Sequence, residues 1–363
     1  YEKELIAYTA VATVCDVMEL VDENRIIVKH GLSMLKDIPN IGLQTLIDEC
    51  QINKEDLSAF HLGFIIGPCL NASGRLDTAK KGLNLLLAET KAEAMELATE
   101  LRSLNEARKN MTAKYVEKAV NLIEEGGMLK DKVLVVYMPD CHESIAGIIA
   151  GRLRERYNRP AIVLTDSSDF VKGSGRSIDK YNMIGELSKV RELFINVGGH
   201  PMAAGLSLLP ENIENLRNAL NDNPPITEDM LKTKVTIDVL LPLGYLSEKL
   251  INELKLLEPF GNGNDKPLFA EKDLTIKSLM IIGKNSNGIR MRVRNPYGRE
   301  MDALYFGDIE NFFKYIGDTY GSEEVWRMKT GRSTNVKLTV TYYPKINEYN
   351  GNKSIQLMIQ NYR

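Results

Sequence analysis

The sequence predicts a multidomain α/β protein: a helical amino-terminal part, a long connecting helix, a middle domain of alternating strands and helices, and a small antiparallel barrel at the end. Three observations carry this reading. A run rich in Ala, Glu, Lys and Leu from about Thr90 to Glu125 places Leu97, Leu101, Leu104, Met111, Tyr115 and Leu122 at near-heptad spacing, as one long helix requires. The strand-like Val133-Leu134-Val135-Val136-Tyr137 follows it directly and opens an order of strand, turn, helix and strand. From Lys234 onward, short alternating runs separated by Gly and Asn turns read as strands.

In order along the chain, Leu5 to Leu20 is mostly apolar, ends in Asp22-Glu23-Asn24-Arg25, and precedes a short buried helix from Ile26 to Leu35. This opening reads as interior, so residue 1 is not expected to be the beginning of the gene product. Helical spacing continues over residues 40–90, broken by a shaped loop at Gly67-Pro68-Cys69-Leu70-Asn71-Ala72-Ser73-Gly74-Arg75. The long helix stops at Gly126-Gly127, where a left-handed cap fits. The middle domain has a helix over Ile145 to Tyr157 and a strand over Ala161 to Leu164, then glycine-rich segments, and it closes at Asn221 to Pro225. The tail strands are expected at Val235–Leu240, Leu274–Ile282, Ile289–Val293, Met301–Tyr305, Val336–Tyr343 and Ser354–Ile359.

At 363 residues, 44% apolar and 26% charged, the chain has material for two or three packed domains. No stretch approaches the roughly 18 consecutive apolar residues of a membrane span, and the start has no signal-peptide layout. Cys15, Cys50, Cys69 and Cys141 form no CxxC pair, which argues against a disulfide framework or zinc knuckle and fits a reducing cytoplasm. The net charge of −3 is unevenly placed: residues 231–363 hold 20 Lys or Arg against 15 Asp or Glu.

Five places could carry chemistry. Lys172-Gly173-Ser174-Gly175-Arg176-Ser177 offers backbone N–H groups, hydroxyls and a guanidinium to a phosphate; a flexible surface turn has the same composition. Asn196 to Gly205 places His200 after Gly198-Gly199 and before an Ala-rich stretch read as a helix start, so it is either a phosphate site or a buried imidazole satisfied by backbone. His142, in Asp140-Cys141-His142-Glu143 at a strand-to-helix junction, is read as a cleft residue rather than a metal ligand. Asp16 sits in the apolar Ala12 to Val17, where a metal, a salt bridge or a helix cap would each offset burial of its charge. Arg290, Arg292 and Arg294 alternate with apolar residues and share a strand face, either as a charged edge or as an electrostatic track with Tyr297 or Tyr305 available for stacking.

Taken together these segments resemble the RecJ-type single-stranded-DNA exonucleases of the DHH phosphoesterase superfamily. The resemblance runs through Ala12 to Val17 with Glu23-Asn24-Arg25, Gly67 to Leu76, Cys141 to Ala150, Gly173 to Ser177 and Gly198-Gly199-His200, then Leu257 to Asn264 and Asn347-Glu348-Tyr349-Asn350-Gly351 with Gln356-Leu357. It implies that residues 1–90 are the carboxyl-terminal part of a DHH catalytic domain, 91–128 a connecting helix, 129–228 a DHH-associated substrate-binding domain and 229–363 an OB-fold nucleic-acid-binding domain. It further implies hydrolysis assisted by two manganese or magnesium ions, with Asp16 as a metal ligand and His200 facing the scissile phosphate. Ser174 and Arg176 would grip the terminal phosphate of the strand, Gly198 and Gly199 would join His200 in the loop facing the scissile phosphate, and Asn71 and Arg75 would line the cleft near the metals. Gly175, Ser177 and His142 are further expected phosphate or DNA contacts. The family's paired-aspartate motif and Asp-His-His triplet are absent, and the histidines are His30, His61, His142 and His200.

The function so implied is 5′-to-3′ degradation of single-stranded DNA in recombination and repair, with single-strand-binding protein or a helicase as partners and a cytoplasmic location. This chain is expected to be an inactive carboxyl-terminal fragment that still binds single strands. The alternatives are a binding-only module for single-stranded DNA or protein, and a phosphodiesterase of the same superfamily acting on dinucleotides or oligonucleotides.

Overall fold

A computed structural model of the chain describes residues 2–76, 78–283, 286–349 and 351–363; Tyr1 and Asn350, both quoted above, lie outside the described residues. Two compact units divide it, residues 1–7 with 33–234 and residues 8–32 with 235–363. Helices α1 (Glu2–Cys15) and α2 (Asp22–Leu35) open the chain. They are less interior than their composition predicts: Val28 and Leu35 are buried, whereas Leu5, Val17 and Ile26 are exposed. Apolar residues lie all round α1 rather than along one stripe, so part of them must face outward.

In the first unit, α3 (Ile41–Glu49), α4 (Gly67–Leu76) and α5 (Lys80–Leu87) pack along the long α6 (Lys91–Glu125). Asn40 caps α3 by accepting the Leu43 N–H at 2.7 Å, and Thr90 caps α6 by accepting the Glu93 N–H at 3.2 Å. The chain leaves α6 through Gly126 and Gly127, the latter at φ 68°, as the glycine pair predicts. The expected loop over Gly67 to Arg75 is instead α4. A π-helical stretch, Leu62–Ile66, runs directly into α4, so the Gly-Pro pair sits inside a continuous helical run at a change of winding and does not break it.

Strand β1 (Leu134–Tyr137), α7 (Glu143–Tyr157), β2 (Ala161–Asp166), β3 (Val171–Arg176), α8 (Met183–Ser188), β4 (Phe194–His200), β5 (Ala203–Leu208) and α9 (Ile213–Asn221) complete this unit. The sheet order is β1-β2-β3-β5-β4, parallel between β1 and β2 and antiparallel elsewhere. One face buries Leu134, Val136, Ala161 and Val163 against Ile145, Ile149 and Leu153 of α7. The other buries Ile162, Leu164 and Leu206 against Met183 and Leu216.

Both glycine-rich segments differ from their expected form. Residues 171–176 are neither an anion-cradling loop nor a flexible turn but a strand hydrogen-bonded on both edges, to β2 and β5. Their N–H groups are committed to ladders. Residues 194–208 form a β4–β5 hairpin with no helix, because Ala203 and Ala204 pair with His200 and Gly199 instead of winding.

The second unit holds β6 (Val239–Leu240), α10 (Glu248–Leu254), β7 (Phe269–Ile282), β8 (Gly288–Arg294), β9 (Glu300–Tyr305), α11 (Ile309–Tyr320), α12 (Ser322–Lys329), β10 (Lys337–Tyr349) and β11 (Asn352–Tyr362). Strands β10-β11-β9-β8-β7 run in order and β10 pairs again with β7, which closes a five-stranded barrel and leaves no open edge among those strands. The barrel interior holds Ile276, Ile289, Met291, Val293, Leu338 and Tyr342, all nearly inaccessible. Helix α11 seals one end: Asp308 accepts the Asn311 N–H at 2.9 Å as its cap, and Phe312 stacks edge-on with Phe313 and Tyr362.

Phe312 is fully buried, so Phe312→Ala is expected to cost the barrel unit about 3–5 kcal/mol. Trp326, the sole tryptophan, lies on α12 in this unit and reports the loss as a lower urea midpoint in its fluorescence.

Candidate nucleic-acid interface

The register of the first unit's sheet sets the predicted residues in rows, because directly opposed residues share a face. Lys172, Ser207 and Asn196 form one row across β3, β5 and β4; Ser174, Gly205 and Gly198 form the next; Arg176, Ala203 and His200 form the third. Arg176 and His200 therefore stand on the same side of the sheet, two strand spacings or roughly 10 Å apart. Beside them lies an open cleft of about 700 Å³ lined by Glu143, Ser144, Lys172, Ser174, Gly198 and Gly205. A Cβ at Gly198 or Gly205 would meet nothing within 4 Å, so the glycine row exposes bare backbone as a flat floor.

Helix α7 borders the cleft. His142 caps it: the Ser144 N–H donates to His142 Nδ1 at 3.3 Å, and the Ser144 hydroxyl lies 2.7 Å from the same atom. Arg75, on α4, donates from Nη1 to the Ser144 carbonyl at 2.8 Å. One turn on, a Cβ at Gly147 would sit 2.8 Å from both Arg176 Nη2 and Ser174 Oγ, so the glycine leaves the space those groups occupy. Arg176 donates to Ser174 Oγ at 3.2 Å and to the Gly175 carbonyl at 2.9 Å. Arg75, His142, Ser174 and Arg176 are thus brought together around the first two turns of α7.

Electrostatics single out Arg176. Burial pulls its pKa down, and Arg154 and Arg75 push in the same direction. Arg108 on α6 is likewise held low by burial, then by Arg75 and Arg152. A guanidinium stays charged regardless; the downward pull reflects burial first and neighbouring positive charge second. Among the described residues neither Arg75, Arg108 nor Arg176 has a carboxylate partner, while Arg152 and Arg154 share Glu155 at 3.1 and 3.3 Å. An anion placed over this sheet face would meet several unmatched cations.

Other predicted residues lie differently. Ser177 is fully buried, and its hydroxyl donates to the Tyr181 carbonyl at 2.5 Å, so it faces inward instead of toward a phosphate. Gly175 occupies the opposite sheet face, against Met183 and Ile162. Gly199 has φ 150°, and a Cβ there would lie 2.3 Å from the Ala203 carbonyl oxygen, so it shapes the hairpin end. His200 is exposed rather than buried, with Nδ1 accepting the Met202 N–H at 3.3 Å. Asn71 is exposed on α4 four residues before Arg75, on the same helical face. Asp16 belongs to the second unit, stands just beyond α1 and is exposed, so no burial cost calls for a metal there.

Arg290, Arg292 and Arg294 do share one face of β8, but they are matched by acids on β9. Arg290 and Arg292 reach Asp302 at 2.6 and 3.0 Å, and Arg294 reaches Glu300 at 2.6 Å. The ladder leaves little free charge for a nucleic-acid backbone. Tyr305 is in the barrel core, 9% exposed, whereas Tyr297 is 86% exposed and open to stacking. The sequence reading includes Lys172 and Gly205 in its two candidate segments without giving them a role of their own, and it overlooks Gly147, Arg108 and Arg154 as members of the site. The signal for the α7 members was available: Gly147, Gly151 and Arg154 recur at helical spacing on one face.

Comparison with known proteins adds a lineage. A DHHA1 domain model matches residues 130–223, and a RecJ OB domain model matches residues 237–361. The chain belongs to the RecJ family. It is 32% identical over 362 residues to the single-stranded-DNA-specific exonuclease RecJ of Bacillus subtilis, covering 98% of this chain and 44% of that protein. To the Escherichia coli RecJ it is 30% identical over 371 residues, covering 99% of this chain and 61% of the relative. The crystal structure of Thermus thermophilus RecJ in complex with Mg2+ superposes with a TM-score of 0.82 at 25% identity, over 99% of this chain and 52% of that one. A second structure of that RecJ is a complex with Mn2+. The chain therefore spans about half the length of the RecJ proteins it matches.

The residues present do not fit a two-metal centre. Among the described residues no group of three or more His, Cys, Asp or Glu is placed to hold an ion. No described helix is long and apolar enough to cross a membrane.

Gly147→Ala tests the packing of α7 on β3. The added methyl meets flexible side-chain ends, so the melting temperature is expected to hold or rise slightly. Displacement of Arg176 should weaken oligonucleotide binding by about threefold or more. Unchanged affinity by fluorescence anisotropy contradicts the packing argument.

Proposed function

We propose that the protein carrying this chain degrades single-stranded DNA from its 5′ end, by metal-assisted phosphodiester hydrolysis, in recombination and repair. This chain would contribute the grip on the strand. The observation that carries the reading is Arg176: half-buried, without a carboxylate, beside Arg75 and above a floor of glycine backbone. Backbone phosphates are the anions that such a face accepts, and bare glycine lets a sugar-phosphate chain lie close to the sheet. In this reading Ser174 and Arg176 hold a phosphate, His200 and Gly198 border the next position along the sheet, and Arg75 and Asn71 line the far wall. The protein would work in the cytoplasm on single strands.

The Mg2+ and Mn2+ complexes of the Thermus relative support a divalent-ion requirement for the whole enzyme. The chain lacks the Asp-His-His triplet, and its described residues assemble no metal cluster, so by itself it is expected to bind without cutting. Those same facts favour the binding-only reading for this chain in isolation. The dinucleotide reading draws less support, because a small substrate has no need of the closed barrel.

Fluorescence anisotropy with a labelled deoxyoligonucleotide tests the assignment. The chain is expected to bind at low salt, with affinity falling linearly in log salt concentration. Arg176→Ala should weaken binding about tenfold and lower the magnitude of the salt slope by about one. With Mn2+ added, this chain should release no nucleotides. Absence of association at low salt, or an Arg176→Ala variant that binds as the parent does, would overturn the proposal.

A further inference from the structure

Away from the cleft, two cysteines that the function leaves unused face each other. Cys50 ends α3 and Cys69 lies in the first turn of α4, and their sulfurs are 3.9 Å apart. Cys69 is buried and Cys50 partly exposed, so a small oxidant can approach from the Cys50 side. The Asn105 amide donates to Cys69 Sγ at 3.3 Å. On its other side the Asn105 carbonyl oxygen accepts from Arg108 Nε at 3.2 Å and Nη2 at 2.9 Å. An unbroken hydrogen-bonded path thus joins the thiol pair to an arginine that feels Arg75 and Arg152.

We propose that Cys50 and Cys69 are an oxidative modification site that forms a disulfide under peroxide and thereby loosens Arg108 at the edge of the phosphate-binding face. Closing the pair moves the sulfurs from 3.9 Å to about 2.05 Å, a shift that side-chain rotation can supply much of. The reaction consumes hydrogen peroxide: two S–H bonds and the O–O bond break, one S–S bond forms, and two waters leave. The sulfurs give up two electrons, and the peroxide takes them.

Polarisation within the pair favours this chemistry. Cys69 is held below the ordinary thiol range because it accepts the Cys50 S–H, and the Asn105 N–H adds to that. Cys50 is pushed up by the same contact and by burial. Drawing Cys69 Sγ toward Cys50 lengthens its 3.3 Å contact with the Asn105 N–H, so Asn105 loses its anchor and Arg108 its fixed acceptor. The site nearby then loses one oriented cation.

The effect on binding rests on the strand-gripping reading above, whereas disulfide formation does not. The full chain is treated with hydrogen peroxide, mapped by peptide mass spectrometry without reduction, and titrated with the labelled oligonucleotide. The expected result is a linked Cys50–Cys69 peptide lighter by two hydrogens, affinity weaker by roughly three- to tenfold, and recovery with dithiothreitol. Cys50→Ser should bind as the reduced parent does and show no response to peroxide, and Cys50→Ala repeats the control should the serine variant fold poorly. Recovery of both thiols as free by alkylation after peroxide, or a linked chain that binds as tightly as the reduced one, overturns the proposal. An equal loss in Cys50→Ser also overturns it. If the reduced chain binds no oligonucleotide at all, the strand-gripping reading fails and with it the effect on binding, while the peptide map still decides the thiol pairing.

Discussion

A half-buried guanidinium with only neutral hydrogen-bond partners and two further arginines in its field is the constraint on which the first unit turns. The acids of α7 are taken by other cations, Glu143 by Lys172 at 2.6 Å and Glu155 by Arg152 and Arg154, so among the described residues no carboxylate pairs with Arg176. The arrangement holds because the contacts around it are strong. Helix α7 is anchored by the buried Ile145, Ile149 and Leu153, and β3 is hydrogen-bonded along both edges. Packing thus holds the cation in a place that electrostatics alone would not choose, which is the usual cost of a preorganised anion site.

Small residues make that geometry possible. Gly147 gives the guanidinium room beneath the helix, while Gly198 and Gly205 remove side chains from the floor. Each absence serves a different neighbour: one admits a protein side chain, the others admit a ligand backbone. The barrel of the second unit solves a different problem. Its β7–β10 pairing closes the sheet, and its arginine ladder is balanced by Asp302 and Glu300. Asp302 meets opposing effects, burial raising its pKa and its two arginines lowering it, and the net shift is downward; Glu300, held chiefly by Arg294, also lies low. Both acids therefore stay ionised and keep the ladder paired at neutral pH.

Much of the fold was legible because its signals are local. Thr90, the Leu spacing and Gly126-Gly127 define α6 without tertiary help, and period-two alternation places β8 and β9 to within a residue. By contrast β7 begins five residues earlier than expected, β10 ends six later, and only Val239–Leu240 of the expected Val235–Leu240 is strand. The failures share a cause: glycine, serine and proline were read as loop formers where tertiary contacts decide otherwise. Pro68 lies within a continuous helical run, and Gly173 to Arg176 is a central strand whose small residues lie beneath a helix. For the site, residue types were readable and orientations were not. The sequence places Arg176 and Ser177 side by side, yet one points to the cleft edge and the other into the core. Nothing local could reveal that Arg290 to Arg294 face acids on the next strand, since that depends on the β8–β9 register.

The most direct measurement is a crystal structure of this chain soaked with a short 5′-phosphorylated deoxyoligonucleotide. The account predicts a phosphate oxygen within hydrogen-bond distance of the Arg176 guanidinium and the Ser174 hydroxyl, with the sugar-phosphate chain lying across Gly205 and Gly198. An oligonucleotide ordered on the arginine ladder of β8, with no phosphate near Arg176, would contradict it.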